Sequence, residues 1–257
     1  MKFFADGVIE HGTGMLLEPY SDDSHSCGLP NWAPDALAEA VTAFDADGFQ
    51  IHIHAIGDGG IRMALDAIET AVRRNTRPGT VRDRRPVIAH TQLVDPADRP
   101  RFAALGVIAN FEPLWAQMDP VLTELTLPRL GPERSRLLYP IATLHRHGGP
   151  LSFGSDWPVT SANPLEGLAV AVTRQTPDGS PAGGWMPEER LPIAAAIGAY
   201  TRGVAHQAFA DERGHVQLGA LADFTLVEHD ITALPGHEVA DVAVRGLWAA
   251  GEEVWRS

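Results

Sequence analysis

The sequence is poor in features that would each indicate a particular class of protein. Its 257 residues include one cysteine, Cys27, so an internal disulfide framework and a zinc site built from thiolates are both excluded. No apolar run approaches the roughly 20 residues of a membrane-spanning helix, and the first residues lack the pattern of a signal peptide. We therefore expect a globular cytoplasmic protein that binds no membrane.

Basic residues are also scarce. The 20 Lys and Arg residues are outnumbered by 33 Asp and Glu residues, which gives a formal net charge of −13. A nucleic-acid surface needs clustered Lys and Arg, and the basic group at Arg82 to Arg85 is interrupted by Asp83. This group is interpreted as a solvated loop, so the expected partner is a small-molecule substrate and not a nucleic acid.

The chain is instead rich in alternating strand and helix patterns. From His52 to Asp156 the two patterns follow each other without a hairpin signal, which predicts a parallel sheet with crossover helices. A long loop at 8–32 lies near the start, and a helical region at about 187–209 follows the alternation. Strands are predicted at 2–6, 50–55, 86–91, 106–111 and 151–156, and helices at about 34–47, 59–75, 95–105 and 133–147.

The pattern changes after Gly214. Short β-type runs separated by turn residues predict a small antiparallel module of a few strands. We therefore expect two domains, an α/β domain over 1–212 and a β-rich segment over 213–257.

The stretch from Ile51 to Asp58, IHIHAIGD, places two histidines on one strand. Alternate residues of a strand share a face, so His52 and His54 point the same way. Asp58 is suited to cap the helix that follows. An imidazole at the end of a strand that leads into a helix lies where parallel α/β folds place their chemistry.

Three predicted strands end on a residue that can bind a metal: His54, His90 and Asp156. In a barrel of parallel strands such ends meet at one mouth, and two imidazoles with a carboxylate suit a catalytic divalent ion that activates water. Each residue also has a simpler interpretation. A histidine can be a core residue bonded to backbone, and Asp156 can cap the turn that precedes Pro158.

Several blocks together resemble one family, the amidohydrolase superfamily. The closest resemblance is to amidohydrolase family 3, which includes YtcJ-like proteins and N-substituted formamide deformylases. The blocks are KFFADG at 2–7, HAIGD at 54–58, AHTQ at 89–92, FGSDWPV at 153–159 and GALADF at 219–224.

The resemblance implies a role for each matching residue. His54 and His90 become the metal ligands of barrel strands 5 and 6, and Asp156 becomes the strand-8 ligand that also acts as general base and acid. Lys2 falls where many members carry a carboxylated lysine that bridges two metals, which requires a buried lysine of lowered pKa. The implied cofactor is one or two divalent ions, with zinc expected.

Three further residues receive weaker assignments. His52 lies one layer deeper than His54 and is expected to support the site without binding the metal. Trp115 and Trp157, in loops after strands, are expected to line a substrate pocket, although an aromatic residue near a strand end is as often packing as binding.

One departure from the family pattern limits these implications. Members open their barrel with a strand that carries a His-x-His pair, and no residue before Lys2 can form it. The resemblance therefore implies a partial (β/α)8 barrel of strands 4 to 8, a small β-sandwich segment and an incomplete metal site. Copies in a homo-oligomer are expected to cover the open edges of such a barrel.

Three functional hypotheses follow. The first is a truncated metal-dependent hydrolase of non-peptide C–N bonds, amide-like or formamide-like. The second is a catalytically silent fragment that serves as an interaction or assembly module. The third is a complete, unrelated metal barrel whose first strand is residues 50–55, and it ranks last because only helix and β-sandwich patterns follow Asp156.

Overall fold

A computed structural model describes residues 1–79 and 81–257, and it forms an α/β protein with a parallel sheet. Parallel pairing joins Phe4 to His54 and Ala55 to His90, as the alternation of strands and helices predicts. The expected parallel sheet is confirmed. Its strands, in spatial order, are β1 (Lys2–Phe4), β2 (His52–Ala55), β3 (Val87–His90), β4 (Ile108–Phe111) and β5 (Leu151–Phe153).

The chain divides into two compact units, and each is described by itself. Unit 1 comprises residues 1–111 and 119–151, and unit 2 comprises residues 112–118 and 152–257. The expected domain boundary between residues 212 and 213 lies inside unit 2 and stays a prediction. In the described part of the chain, no helix combines the length and apolar character needed to cross a membrane.

Unit 1 places helices against one face of β1 and β2. Phe3 packs edge-on against Trp32 and against Phe44, with ring centroids 5.9 and 5.8 Å apart. The opposite face of these strands carries Lys2, Phe4, His52 and His54, because side chains alternate along a strand. The helices of this unit are α1 (Pro34–Ala46), α2 (Asp58–Asn75), α3 (Arg99–Leu105), α4 (Leu127–Ser135) and α5 (Ile141–Arg146).

The predicted single helix at 133–147 is wrong, since the chain forms α4 and α5 with a break between them. Tyr139 adopts a left-handed conformation with φ of 45°, and Pro140 follows it. A proline disfavours the helical conformation of the residue before it. In addition, Leu138 forms an isolated antiparallel bridge to Leu93, a long-range contact that draws the chain out of helix.

The basic group at Arg82 to Arg85 is not simply solvated, which corrects the expectation from sequence. Arg84 Nε lies 3.0 Å from Asp45 Oδ1, and Arg82 Nη1 lies 3.2 Å from the same oxygen. The Asp45 carboxylate is buried in α1 and also accepts a hydrogen bond from Asn75 Nδ2. These contacts satisfy a buried charge, and through Asp45 they tie both the arginine segment and α2 to α1.

Unit 2 contains a helix that the sequence patterns did not predict and a small sheet that they did. In α6 (Pro164–Thr173), Asn163 is the N-cap and its side chain accepts a hydrogen bond from Leu165 N, while Pro164 occupies the first turn. The expected antiparallel module is confirmed as a three-stranded sheet. The other elements are α7 (Ile193–Gly198), α8 (Val204–Gln207), β6 (Phe224–Val227), β7 (Val244–Ala249) and β8 (Glu252–Arg256).

The turn between β2 and α2 packs closely against the long loop of unit 1. A Cβ atom on Gly57 would lie 2.0 Å from the carbonyl oxygen of Met15, far inside van der Waals contact. The φ of Gly57 is −75°, so its backbone conformation suits any residue and space alone requires glycine. This close approach brings loop residues to the end of the strand that carries His54.

We predict that Gly57→Ala destabilises the protein by about 1–3 kcal/mol, the usual cost of overpacking. Gly149→Ala is the matched control, because its added Cβ would meet its nearest neighbour at an ordinary 3.5 Å. Urea unfolding of both variants measures the effect. Equal losses in the two variants would contradict the assigned contact.

Candidate active site

Two histidines meet where adjacent strands of unit 1 end. His54 lies in β2 and His90 is the last residue of β3, and their ring centroids are 4.6 Å apart at an interplanar angle of 69°. Both are buried, with 8% and 5% of their surface exposed. The two strand ends therefore bring together two of the three residues that the sequence patterns singled out.

The backbone leaves β3 through two unusual residues. His90 and Thr91 have φ values of 74° and 45°, in the left-handed region that β-branched residues such as threonine rarely adopt. The Thr91 hydroxyl donates to the carbonyl of Ile88, which holds the turn. Such strain tends to occur at functional sites, where surrounding contacts maintain it.

His54 has a defined hydrogen-bond partner on one ring nitrogen. Nε2 lies 3.0 Å from the carbonyl oxygen of Gly7, which can only accept. In the neutral ring the proton therefore resides on Nε2, and the lone pair resides on Nδ1. A histidine that donates one ring N–H to a backbone carbonyl is typical of metal-binding sites, since the donation fixes tautomer and orientation.

A buried carboxylate beside this histidine was not assigned a role from the sequence. Asp6 Oδ1 lies 3.7 Å from His54 Nε2, and the Asp6 side chain is fully buried. Burial raises the pKa of Asp6 to about 6, although backbone N–H groups at Gly57, Met15 and Ile56 act in the opposite direction. Its position could have indicated a role from the sequence, because Asp6 follows β1 as other polar candidate residues lie at the ends of their strands.

His52 lies one residue pair further from the strand end than His54. It pairs with Lys2 across β1 and β2. Burial, followed by the positive charge of Lys2, lowers the pKa of His52 to about 4. Its Nε2 is buried and has no hydrogen-bond partner within residues 1–79 and 81–257. His52 is therefore neutral at physiological pH.

Lys2 does not meet the condition set for a carboxylated lysine. Its side chain is exposed, and Nζ lies 5.0 Å from the ring centroid of Phe4 in a cation–π contact. Phe4 in turn lies 5.2 Å from the ring of His54. The expected burial of Lys2 is thus absent, and its role as a metal ligand stays a prediction.

The remaining predicted site residues belong to unit 2. Asp156 is exposed and has a φ of 51°, and its carbonyl accepts a hydrogen bond from Val159 N. Trp157 is 71% exposed. Trp115 is less exposed, and its Nε1 donates to Thr160 Oγ1 over 3.4 Å. The catalytic and substrate-binding roles of these residues stay predictions.

The donor chemistry of the histidine pair suits a divalent ion, since imidazole is a common ligand and His54 has a fixed tautomer. Among the residues that the structure describes, however, no group of three or more His, Cys, Asp or Glu side chains is arranged to hold a metal. The pair alone accounts for two ligands of such a centre.

Comparison with known proteins identifies the family. The model of the amidohydrolase family, Amidohydro_3, matches residues 1–255. The chain belongs to the amidohydrolase family. The expected membership in amidohydrolase family 3 is confirmed.

Individual relatives are similar over most of this chain. Over 88% of its own residues, this chain is 34% identical to Protein LONG AFTER FAR-RED 3 of Arabidopsis thaliana. Over 91% of its own residues, it is 30% identical to putative amidohydrolase YtcJ of Bacillus subtilis strain 168. These matches span only 38% and 42% of the two relatives.

A solved structure is similar as well. It is described as an uncharacterized metal-dependent hydrolase from Pyrococcus horikoshii OT3, with a TM-score of 0.78 and 26% identity. The match covers 92% of this amidohydrolase chain and 45% of that one. The chain thus corresponds to less than half of each of these proteins.

A second buried acid, Asp58, lies at the start of α2. Its Oδ1 accepts hydrogen bonds from Leu17 N at 2.9 Å and from Gly59 N at 3.0 Å. The helix includes Asp58 as its first residue, so the expected cap is instead an anchor for the loop. Burial raises the pKa of Asp58 above its ordinary value of 3.8.

We predict that Asp58→Asn stabilises the protein at pH 7. The amide oxygen still accepts both N–H groups, and the cost of burying a charge disappears. Because the pKa of folded Asp58 is raised, its stabilising contribution is present below pH 3.8 and is lost as the pH rises through the folded-state value. The advantage of the variant should therefore shrink as the pH is lowered toward 3.8. Urea unfolding at several pH values checks this, and a constant difference would contradict it.

Proposed function

We propose that this chain belongs to a metal-dependent hydrolase of non-peptide C–N bonds, with an amide-like or formamide-like substrate. The observation that carries the proposal is the buried pair of His54 and His90 at neighbouring strand ends, 4.6 Å apart. Membership in the amidohydrolase family and similarity to a protein described as a metal-dependent hydrolase support it. The formamide-like alternative rests on the sequence resemblance.

In this proposal β1 to β5 correspond to strands 4 to 8 of a TIM-type barrel, and β6 to β8 correspond to part of the family's β-sandwich. The His-x-His strand that opens the family's barrel then has no counterpart among the five strands. His52 and His54 form such a pair, but they lie on the strand that the assignment makes the fifth. The ligands proposed for this chain are therefore taken from β2, β3 and the segment after β5.

We propose that His54 and His90 would supply ligands to a divalent ion, with zinc as the first choice, and the sequence resemblance alone adds Asp156 to this ligand set. When bound, such an ion lowers the pKa of water to about 7 and polarises a carbonyl group. Lys2 would serve a second ion only as a carboxylated, buried residue. Its exposure favours a centre with one ion.

The side chains have distinct roles in the proposed reaction. Asp156 accepts a proton from the attacking water and returns it to the leaving nitrogen, as general base and then general acid. His54 keeps its proton on Nε2 through the Gly7 carbonyl, so only one ring nitrogen offers a lone pair. Trp115 and Trp157 are proposed to line the substrate pocket, and His52 supports His54 from the same face.

We predict that the purified chain binds one zinc ion and that His54→Ala lowers its affinity more than about 100-fold. Removing a residue that only hydrogen-bonds to a metal ligand lowers metal affinity about 10–100-fold, so removing a ligand itself should lower it further. His147→Ala, at an exposed histidine of the same unit, should leave the affinity unchanged. Competition with a chromogenic chelator measures both. Equal zinc affinity in the natural chain and both variants would contradict the assignment of His54 as a ligand.

A second candidate function is a catalytically silent module for interaction or assembly. It is favoured by one observation, the absence of a three-residue metal group within residues 1–79 and 81–257. Such a module would keep its fold without turning over any substrate. Hydrolysis assays separate the two functions.

We predict that the zinc-loaded chain hydrolyses N-formyl or N-acyl amines, and that Asp156→Asn slows the reaction about 10²–10⁴-fold through the loss of general acid–base catalysis. Asp35→Asn, at an exposed acid in the first turn of α1, is the control and should retain full activity. Release of the free amine from a panel of such compounds is the measurement. A loaded chain that hydrolyses none of them would favour the silent module.

A further inference from the structure

We propose that Asp6 and Gly7 form a positioning element that sets the orientation and tautomer of His54. The Gly7 carbonyl binds the ring, and the Asp6 carboxylate fixes the chain segments that carry the carbonyl and the ring. The inference builds on the proposed function in one respect, since it treats His54 as a ligand. The positioning itself is a property of the metal-free protein.

The Asp6 carboxylate binds three backbone N–H groups with both of its oxygens. Oδ1 accepts from Ile56 N at 3.1 Å, and Oδ2 accepts from Met15 N and Gly57 N, each at 2.9 Å. Two of these donors follow His54 by two and three residues. The carboxylate therefore fixes the backbone directly after the histidine and joins it to the loop.

The Gly7 carbonyl is held independently of the histidine that it binds. Gly7 N donates to Thr13 O at 3.1 Å, and Asn31 Nδ2 donates to the carbonyl of Asp6 at 3.0 Å. Gly7 must also be glycine, because a Cβ there would lie 2.2 Å from Thr13 Oγ1. The acceptor for His54 Nε2 is thus part of a rigid segment and is not a mobile loop carbonyl.

Space around the carboxylate is limited as well. Gly60, in the first turn of α2, leaves room for Asp6, since a Cβ on Gly60 would lie 2.5 Å from Asp6 Oδ2. Gly60 N also donates to Met15 O at 3.1 Å. The carboxylate is therefore enclosed by the strand, the loop and the helix that surround His54.

The neighbouring acid Asp58 provides a matched comparison. Both of its hydrogen bonds reach a single oxygen, Oδ1, so an asparagine can retain them. Asp6 uses both oxygens, so Asp6→Asn must turn an amide N–H₂ group toward at least one backbone N–H. Both carboxylates accept N–H groups from the loop and from residues near the start of α2, but of the two only Asp6 is placed 3.7 Å from His54 Nε2.

The test is NMR of the metal-free 257-residue chain labelled with ¹⁵N-histidine, at a pH where the rings are neutral. The Nε2–H signal of His54 is assigned by its loss in His54→Gln. We expect Asp6→Asn to speed exchange of this proton with water by at least about tenfold, the equivalent of one weakened hydrogen bond. Asp58→Asn should leave the exchange rate unchanged.

Gly60→Ala keeps the proposal testable if Asp6→Asn fails to fold. The added methyl displaces the Asp6 carboxylate without removing any hydrogen-bonding group from the chain, and alanine favours the helix more than glycine does. Gly60→Ala should also speed exchange of the His54 Nε2–H proton with water. Gly198→Ala in α7 is the control, because its added Cβ would meet Arg202 Nη2, at the end of a flexible side chain, at an ordinary 3.8 Å. Unchanged exchange in a folded Gly60→Ala variant would overturn the proposal.

Zinc titration of the same variants separates this proposal from the proposed function. Asp6→Asn should weaken zinc binding about 10–100-fold, as expected for an outer partner of a ligand, and Asp58→Asn should not. If no variant and not even the natural chain binds zinc, the proposed function fails. The positioning role is then decided by the exchange rate of the His54 Nε2–H proton alone.

Discussion

The buried carboxylate of Asp6 is the interaction on which the site most depends. It accepts backbone N–H groups from the loop and from the turn after β2, and it lies beside the ring of His54. An isolated buried charge would be very costly, and the three hydrogen bonds offset that cost. The carboxylate thereby joins the segment after β1 to a turn about 50 residues later in the sequence. No apolar contact could specify their positions as closely, because hydrogen bonds are directional.

Buried acids recur as organising elements in unit 1. Asp45 holds the arginine segment and Asn75 against α1, and Asp58 holds Leu17 to the start of α2. The donors differ between the two carboxylates: Asp45 is bound by guanidinium groups and the Asn75 amide, and Asp58 by backbone N–H groups. The acidic composition of the chain therefore includes interior residues as well as a solvated surface.

The histidine pair depends on the parallel sheet. Parallel strands bring their carboxyl ends to one edge, so residues that end successive strands become neighbours. His54 and His90 are 36 positions apart in sequence, and their rings nevertheless meet at 4.6 Å. The left-handed conformations of His90 and Thr91 turn the chain away at this point, where an extended strand would have continued.

The sequence by itself determined the alternation of strands and helices, the parallel sheet, the antiparallel module, the strand ends that carry His54 and His90, and the family. These follow from local periodicity and short motifs, which are encoded within a few residues of each other. The tertiary structure alone decided the break between α4 and α5, the burial of Asp6, the pairing of Arg84 with Asp45 and the exposure of Lys2. Each of these depends on contacts between segments far apart in the chain or on the lack of a covering neighbour. Local patterns do not indicate such contacts, so only the folded chain shows which polar residues position the site.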